Sequence, residues 1–343
     1  MPSFDAERYS RHVFFAGIGE EGQARICRST ALIIGCGALG SAQAEMLARS
    51  GVGVLKLVDR DFVEWSNLQR QTLFSEEDAR QSLPKAVALE SALKRINSSC
   101  RIQAEVEDFN SSNAEQFVEG ADVVLDGTDN FQARYLINDC SVKLNTPWIY
   151  GACVAATGAT ASFLPGETLC LRCLFPKAPL PGEGPTCDTA GIVTSVPKWV
   201  ASIQVTEALK IVSGARLQVR RALLTFDAWS NRFQEVRYSD ADPDCACCGR
   251  RKFEFLQGRE ETTATMLCGR DSVQIVPRQK QRLDLNLLEQ RLRSLGPVRV
   301  SNYLLRFGIS PHELTVFPDG RAIVKGTSDP GTAKTLYARY IGD

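Results

Sequence analysis

Short apolar runs alternate with amphipathic stretches along the first half of the chain. "TALIIG" (30–35), "VLKLVD" (54–59), "RIQAEVEDF" (101–109), "DVVLDGTD" (122–129) and "PWIYGACV" (147–154) predict strands. Between them "ALGSAQAEMLARS", "KAVALESALKRIN", the short "NAEQFVEG" and "FQARYLINDCSVKLN" predict helices, with Pro84 opening the second and Gly120 closing the third. Strands alternating with helices imply βαβ units. The expected fold class is α/β, a Rossmann-like, doubly wound and mostly parallel sheet.

After about residue 150 the pattern changes. "ATGATASFLP", "RALLTFDAW" and "RFQEVRYS" predict antiparallel additions beside one long helix, "KWVASIQVTEALKIVSG". "FPKAPLPGEGPT" (175–186) is rich in Pro and Gly and predicts a mobile loop. "QGREETTATM" (257–266) predicts a polar linker between a domain over 1–256 and a small α+β domain over 267–343. In the latter, "PDGR" is expected to close a hairpin, because Asp-Gly supplies positive-φ turn residues.

A chain of 343 residues suits two domains and can bury a sizeable core. Forty basic residues balance forty acidic ones, which leaves no field for nucleic acid or an anionic membrane. The N-terminus has mixed charge, and no apolar run approaches the ~20 residues of a membrane span, so a cytoplasmic protein is expected. Twelve cysteines change the picture more. Cys170/Cys173 and Cys245/Cys248 form two C-x-x-C pairs, the four-thiolate set of a structural Zn²⁺, with Cys247 lying inside the second. Cys27, Cys36, Cys100, Cys140 and Cys153 sit in apolar or helical contexts and are expected in the core.

"GCGALG" follows a strand and opens a helix, placing Gly35, Gly37 and Gly40 where backbone can approach phosphate. Asp59, at the end of the next strand, is placed to hold a ribose hydroxyl. This much fits a nicotinamide or flavin enzyme equally well. "DRDFVEWSNLQRQTLF" (59–74) separates the two: Asn67 and Arg70, with Lys85 beyond them, supply more donors and charge than one pyrophosphate needs. They suit a triphosphate being cleaved. Asp129 falls at the carboxyl edge of the sheet, where an acid facing a triphosphate holds Mg²⁺. Two rivals remain open. An NAD-dependent oxidoreductase needs a proton relay, and His12 is the one histidine in the nucleotide domain. A non-catalytic nucleotide-binding scaffold has no need of Arg70, Lys85 and Asp129 together.

Taken together, "RYSRH", "IIGCGALG", "D-x-D-x-V-x-x-S-N-L-x-R-Q", "LPKA", "LDGTDNFQARYLIND", "CLRC", "TCDTAG" and "CACCG" resemble the ThiF/MoeB/HesA family, in order from about residue 5 to 255. Members adenylylate ubiquitin-like sulfur carriers and are similar to ubiquitin-activating enzymes. The resemblance implies ATP as substrate and a nucleotide site built from the glycine loop with Ala38, from Asp59 and Asp61, and from Ser66, Asn67, Leu68, Gln69 and Arg70. Lys85 completes it on the phosphates, and Asp129, next to Asn130, on Mg²⁺. It implies a homodimer in which Arg11 reaches the neighbouring subunit's site. It also implies a carrier ending in Gly-Gly, a sulfur donor such as a cysteine desulfurase, and thiamine or molybdopterin biosynthesis as the setting. Ala38 stands where MoeB-like members have glycine, and "TSVPKWVASIQ" where many carry a Gly-Pro-rich segment. Cys187 falls where activating enzymes carry their covalent cysteine. A cysteine beside a helix start can have a depressed pKa, and its thiolate is a nucleophile.

Overall fold

The structure, a computed structural model, describes residues 4–178, 187–238, 240–258, 264–266, 271–277 and 282–342. The chain divides into two compact units, Met1–Leu180 with Ile192–Arg259, and Pro181–Gly191 with Glu260–Asp343.

The first unit is built on an eight-stranded sheet: β1 (Thr30–Ile34), β2 (Val54–Val58), β3 (Arg101–Glu105), β4 (Val123–Asp126), β5 (Trp148–Val154), β6 (Thr157–Phe163), β7 (Ala222–Asp227) and β8 (Arg232–Arg237). Their order is β3-β2-β1-β4-β5-β6-β7-β8. Pairing is parallel from β3 through β5 and antiparallel from β5 through β8, as the sequence pattern predicts. β1 therefore sits between β2 and β4, where the chain departs in opposite directions and leaves a crevice at the strand ends.

Both faces of β1 are covered, which is why it reads as an unbroken apolar run. Ala31 and Ile33 pack with Leu47, Leu89 and Val205 from the helices Ala38–Ser50, Lys85–Ile96 and Ser195–Ser213. Leu32 and Ile34 pack with Tyr135, Ile137 and Cys140 from the helix Phe131–Leu144. Of the cysteines expected in the core, Cys36, Cys100 and Cys140 are buried, and Cys27 and Cys153 are half-buried.

Two predicted strands are shorter than expected. β3 ends at Glu105 and β4 at Asp126. At Asp126 the reason is local, because its carboxylate accepts the Thr128 N–H at 2.9 Å and turns the chain out of the sheet.

The second unit holds β9 (Ala264–Met266), β10 (Ser272–Ile275), β11 (Val298–Val300), β12 (Leu305–Ile309), β13 (His312–Val316) and β14 (Ala322–Lys325). They form an antiparallel sheet in the order β11-β12-β13-β14-β10-β9. The helices Leu285–Leu292 and Pro330–Tyr340 contribute Leu288, Leu292 and Tyr337 to a core with Val273, Phe307 and Leu314. "PDGR" closes the β13–β14 hairpin, with Gly320 at φ +85°. β9 lies inside the segment expected to be a linker and pairs with β10, so the linker is shorter than 257–266. Most of the loop expected over 175–186 falls outside the described residues.

Candidate active site

The glycine turn forms at the end of β1 and closes on its neighbours. Gly35 has φ +87°, and a Cβ there would stand 2.6 Å from the Gly127 carbonyl oxygen. A Cβ on Gly40 would stand 1.8 Å from the Gly35 carbonyl oxygen, so the helix Ala38–Ser50 starts against the strand end. Gly37 faces open space instead. The nearest atom to a Cβ there is the Gln71 Nε2 at 3.8 Å. That helix start has no side-chain cap, which leaves its first N–H groups to an anion. Ala38 takes the first helical position, where its methyl is no obstacle.

Asp59 is buried at the end of β2, held from two sides. One oxygen accepts the Cys36 N–H and the other the Asp61 N–H, both at 2.6 Å. Burial pushes its pKa up to about 6, with the Asp61 charge adding to this and Lys85 opposing it. Lys85 starts the next helix and is itself buried, its Nζ 3.0 Å from the Asp61 carboxylate. Burial opposes the ammonium charge, but Asp61 and Asp59 outweigh it and raise the pKa above the usual lysine value. The result is a buried cation held beside a carboxylate, close to the Asp59 that ends β2.

The 3₁₀ turn Trp65–Asn67 places the rest of the motif. Asn67 is buried; its Oδ1 accepts the Glu64 N–H at 3.0 Å, while its Nδ2 has no partner among the described residues. A buried amide with a spare donor is costly without a ligand acceptor. Arg70 is half-buried and donates to the Ser66 carbonyl at 2.9 Å. Gln69 donates to the Thr194 hydroxyl at 2.8 Å, tying the motif to the start of the helix Ser195–Ser213. Leu68 packs against Val63, Ala79 and Ala88, so backbone is what it offers a ligand.

Across the crevice, β4 ends in the Gly127–Asn130 turn. Asp129 is exposed there, and its charge acts on Arg60 and Lys85. An exposed carboxylate beside a phosphate-binding loop is the hard oxygen donor that Mg²⁺ takes. The Asn130 side chain caps the next helix by accepting the Ala133 N–H at 2.8 Å.

Away from the crevice, four sulfurs converge. The Sγ atoms of Cys170, Cys173, Cys245 and Cys248 lie within 4.8 Å of one another. Separations are 3.9 Å for Cys170–Cys173, 3.7 Å for Cys170–Cys245 and 3.4 Å for Cys173–Cys248. A tetrahedral Zn–S₄ centre with Zn–S near 2.3 Å requires sulfurs about 3.8 Å apart, so the group could hold that metal. Cys247 is buried beside the group, its sulfur accepting from the Asn138 amide at 3.2 Å and also meeting Cys170 and the Asp139 carboxylate.

The sequence pattern of the ThiF family matches residues 9–247. The chain belongs to the ThiF family. It is 43% identical over 337 residues to the sulfur carrier protein ThiS adenylyltransferase of Bacillus subtilis, covering 98% of this chain and 99% of that protein. It is 38% identical over 251 residues to the SAMP-activating enzyme E1 of Haloferax volcanii, covering 73% of this chain and 92% of that protein. The crystal structure of E. coli MccB with ATP shares the fold, with a TM-score of 0.62 at 22% identity, over 71% of this chain and 75% of that one.

Two further residues are expected to serve the site. Arg11 is exposed on the short helix Ser10–Phe14, its guanidinium 5.9 Å from the Phe14 ring centre. Cys187 begins the short helix Cys187–Ala190, which belongs to the second unit, and its side chain lies outside what the structure describes. Sequence reasoning missed Asp126, Arg134 and Gln71. Asp126 and Arg134 are a buried pair with Nε 3.0 Å from Oδ2. Both lie in "LDGTDNFQARYLIND", and the lone acid ending the apolar run "VVLD" was a physical signal, since a buried charge requires a partner. Gln71 is buried with its Oε1 lacking a partner among the described residues; it closes the motif D-x-D-x-V-x-x-S-N-L-x-R-Q, which was its one signal.

Proposed function

We propose that this protein adenylylates the C-terminal glycine carboxylate of a ubiquitin-like sulfur carrier, and that the carrier is ThiS-like. A carboxylate oxygen of the carrier attacks the α-phosphorus of ATP, the bond to the bridging oxygen breaks, and pyrophosphate leaves. The product is an acyl-adenylate. In-line phosphoryl transfer is chiefly positioning and charge stabilisation, so no nucleophilic side chain is required for this step. Asp59 orients the ribose, the uncapped helix start and Asn67 take phosphate oxygens, and Arg70 and Lys85 offset the developing charge. Asp129 would hold Mg²⁺, which when bound neutralises phosphate charge. The outer sulfur of a donor persulfide, such as a cysteine desulfurase carries, then displaces AMP to give an acyl disulfide, and a second thiol attacks the donor sulfur, forming a disulfide with it and releasing the carrier thiocarboxylate.

The observation that carries this reading is Lys85, a buried ammonium fixed beside Asp61 and within electrostatic reach of Asp59 and Asp129. A hydride-transfer enzyme has no use for a buried cation there. The choice of a ThiS-like carrier rests on coverage. The Bacillus ThiS adenylyltransferase matches 98% of this chain, including the second unit, whereas the Haloferax relative matches 73%. The cysteine cluster is assigned a structural Zn²⁺, and the working assembly a homodimer. The test is exchange of labelled pyrophosphate into ATP, run without carrier, with a ThiS-like carrier and with a MoaD-like carrier. Exchange that requires the ThiS-like protein is expected. Exchange that ignores the carrier, or prefers the MoaD-like one, counts against the assignment.

A further inference from the structure

We propose that Arg134 is a positioning residue that holds the Gly127–Asn130 turn, and through it Asp129, in the geometry the nucleotide requires; this rests on the adenylyl-transfer reading above. Arg134 lies in the first turn of the helix Phe131–Leu144 and is buried. Its Nε donates to the Asp126 carboxylate at 3.0 Å. Its Nη2 donates to the Thr128 carbonyl at 2.9 Å and to the Gly151 carbonyl at 3.0 Å. One guanidinium thereby joins a strand end, the turn that follows it, and the neighbouring strand β5.

Asp126 completes the clamp from below. It is wholly buried, and its Oδ1 accepts both the N–H and the hydroxyl of Thr128, at 2.9 and 2.7 Å. Its Oδ2 also accepts the Gly151 N–H at 3.3 Å. From beneath, the amides of Gln43 and Gln204 donate to the Asp126 carbonyl at 3.0 and 2.9 Å. Thr128, one peptide before Asp129, is therefore bonded through its N–H, its hydroxyl and its carbonyl.

The pair is poorly explained as a device for stability. Desolvating two ions largely offsets their attraction, and a packed apolar pair of the same volume would serve as well. What the pair supplies is direction, since a planar fork reaches several acceptors at once and an ammonium does not. The turn it holds is also a wall of the phosphate loop: a Cβ on Gly127 would stand 2.2 Å from the Gly35 carbonyl oxygen. A displaced turn would therefore move both Asp129 and the glycine loop.

The test uses the full chain with Arg134→Lys, which keeps a cation opposite Asp126 but gives up the fork, and Thr128→Val, which removes one bond without leaving a buried charge. Mn²⁺ binding with a non-hydrolysable ATP analogue, read by electron paramagnetic resonance, should weaken about tenfold in Arg134→Lys. Thr128→Val should weaken it less, in the same direction. Carrier-dependent exchange should fall about 10²-fold in Arg134→Lys, the scale of a 1 Å misplacement, with KM for the carrier unchanged. Wild-type Mn²⁺ binding by folded Arg134→Lys overturns the proposal, as does unfolding of Arg134→Lys combined with wild-type binding by Thr128→Val. Absence of carrier-dependent exchange in the unmutated protein would overturn the adenylyl-transfer reading, and the Mn²⁺ comparison would still decide the role of Arg134.

Discussion

Lys85 and Asp61 are joined twice: Nζ lies 3.0 Å from the Asp61 carboxylate, and the Lys85 N–H donates to the Asp61 carbonyl at 2.9 Å. The second bond fixes where the helix starts, and the first fixes where its leading side chain points. An incoming phosphate meets a cation already aimed and needing no proton. Replacing Lys85 with Met keeps the length and removes the charge. Pyrophosphate exchange should fall by about 10²-fold or more, as when a transition-state charge stabiliser is lost. Arg70→Ala should show a similar loss with melting temperature nearly unchanged, because among the described residues Arg70 is tied to a local carbonyl, that of Ser66. Near-normal exchange in both variants would contradict the assigned roles.

Nucleoside binding should depend on acid. Asp59 has its pKa lifted to about 6 by burial, with Asp61 adding and Lys85 opposing, and the carboxylate form is the one that accepts a ribose hydroxyl. As pH falls from 7 through 6 the group takes a proton and affinity drops. The stability contribution runs the other way: folding disfavours the charged form, so this group weakens the fold as pH rises from about 4 to 6. Adenosine, which has no phosphate to titrate, is the suitable ligand for calorimetry between pH 5 and 7.5. Asp59→Asn should bind weakly and without that slope; a slope retained in the variant would assign the titration elsewhere.

Metal content separates the cysteines. About one Zn per chain is expected by elemental analysis, and Cys170→Ser should lower thermal stability more than it lowers the exchange rate. Cys247→Ser should keep its metal, since Cys247 is not among the four sulfurs that lie within 4.8 Å of one another. Loss of zinc from the Cys247 variant alone would redraw the ligand set.

The legible and illegible parts of the molecule divide on physical grounds. β1, β4 and the helices between them were readable because burial on both faces writes continuous apolar runs and helical spacing into the residues. Gly35 was readable because its backbone conformation excludes side chains. The metal group was readable because two fixed spacings suffice to describe it. The Asp126–Arg134 clamp was not, since its bonds to Thr128 and Gly151 exist only once β4 and β5 lie side by side. β9 was hidden in a polar segment, having only three residues in which to show a pattern.

Arg11 is assigned to act across a dimer. The helix that carries it is anchored to its own subunit by Tyr9, buried and hydrogen-bonded to Asn97 at 2.9 Å, so Arg11 projects from a fixed base. Mixing Arg11→Ala protein with Asp129→Ala protein, after subunit exchange is verified by mass, should restore part of the exchange activity, because one site of the heterodimer is intact. No recovery would place Arg11 outside the partner's site.

For Cys187 we propose the covalent role after adenylylation that the family resemblance implies. Cys187→Ala should form carrier adenylate at the normal rate and fail to build a thiol-sensitive adduct with the carrier, followed by intact-mass spectrometry. Full thiocarboxylate output from that variant with a physiological sulfur donor would reduce the residue to a bystander.

The two cysteine pairs enter the chain far apart: Cys170 and Cys245 are separated by 75 positions, as are Cys173 and Cys248. A ribosome delivers them in that order, so β1 to β6 and the glycine turn have emerged before the second pair exists. Tying the ends of such a loop costs on the order of 4 kcal/mol of chain entropy, which the proposed sulfur–zinc bonds would offset. Inside the loop lie β7, β8 and the helix Ser195–Ser213, whose Gln204 holds the Asp126 carbonyl. In a cell short of zinc, newly made chains would lack the proposed tie, and β7, β8 and that helix would sit on an open loop. Metal supply would then govern how much enzyme matures after synthesis, and leave the turnover of each finished molecule unchanged.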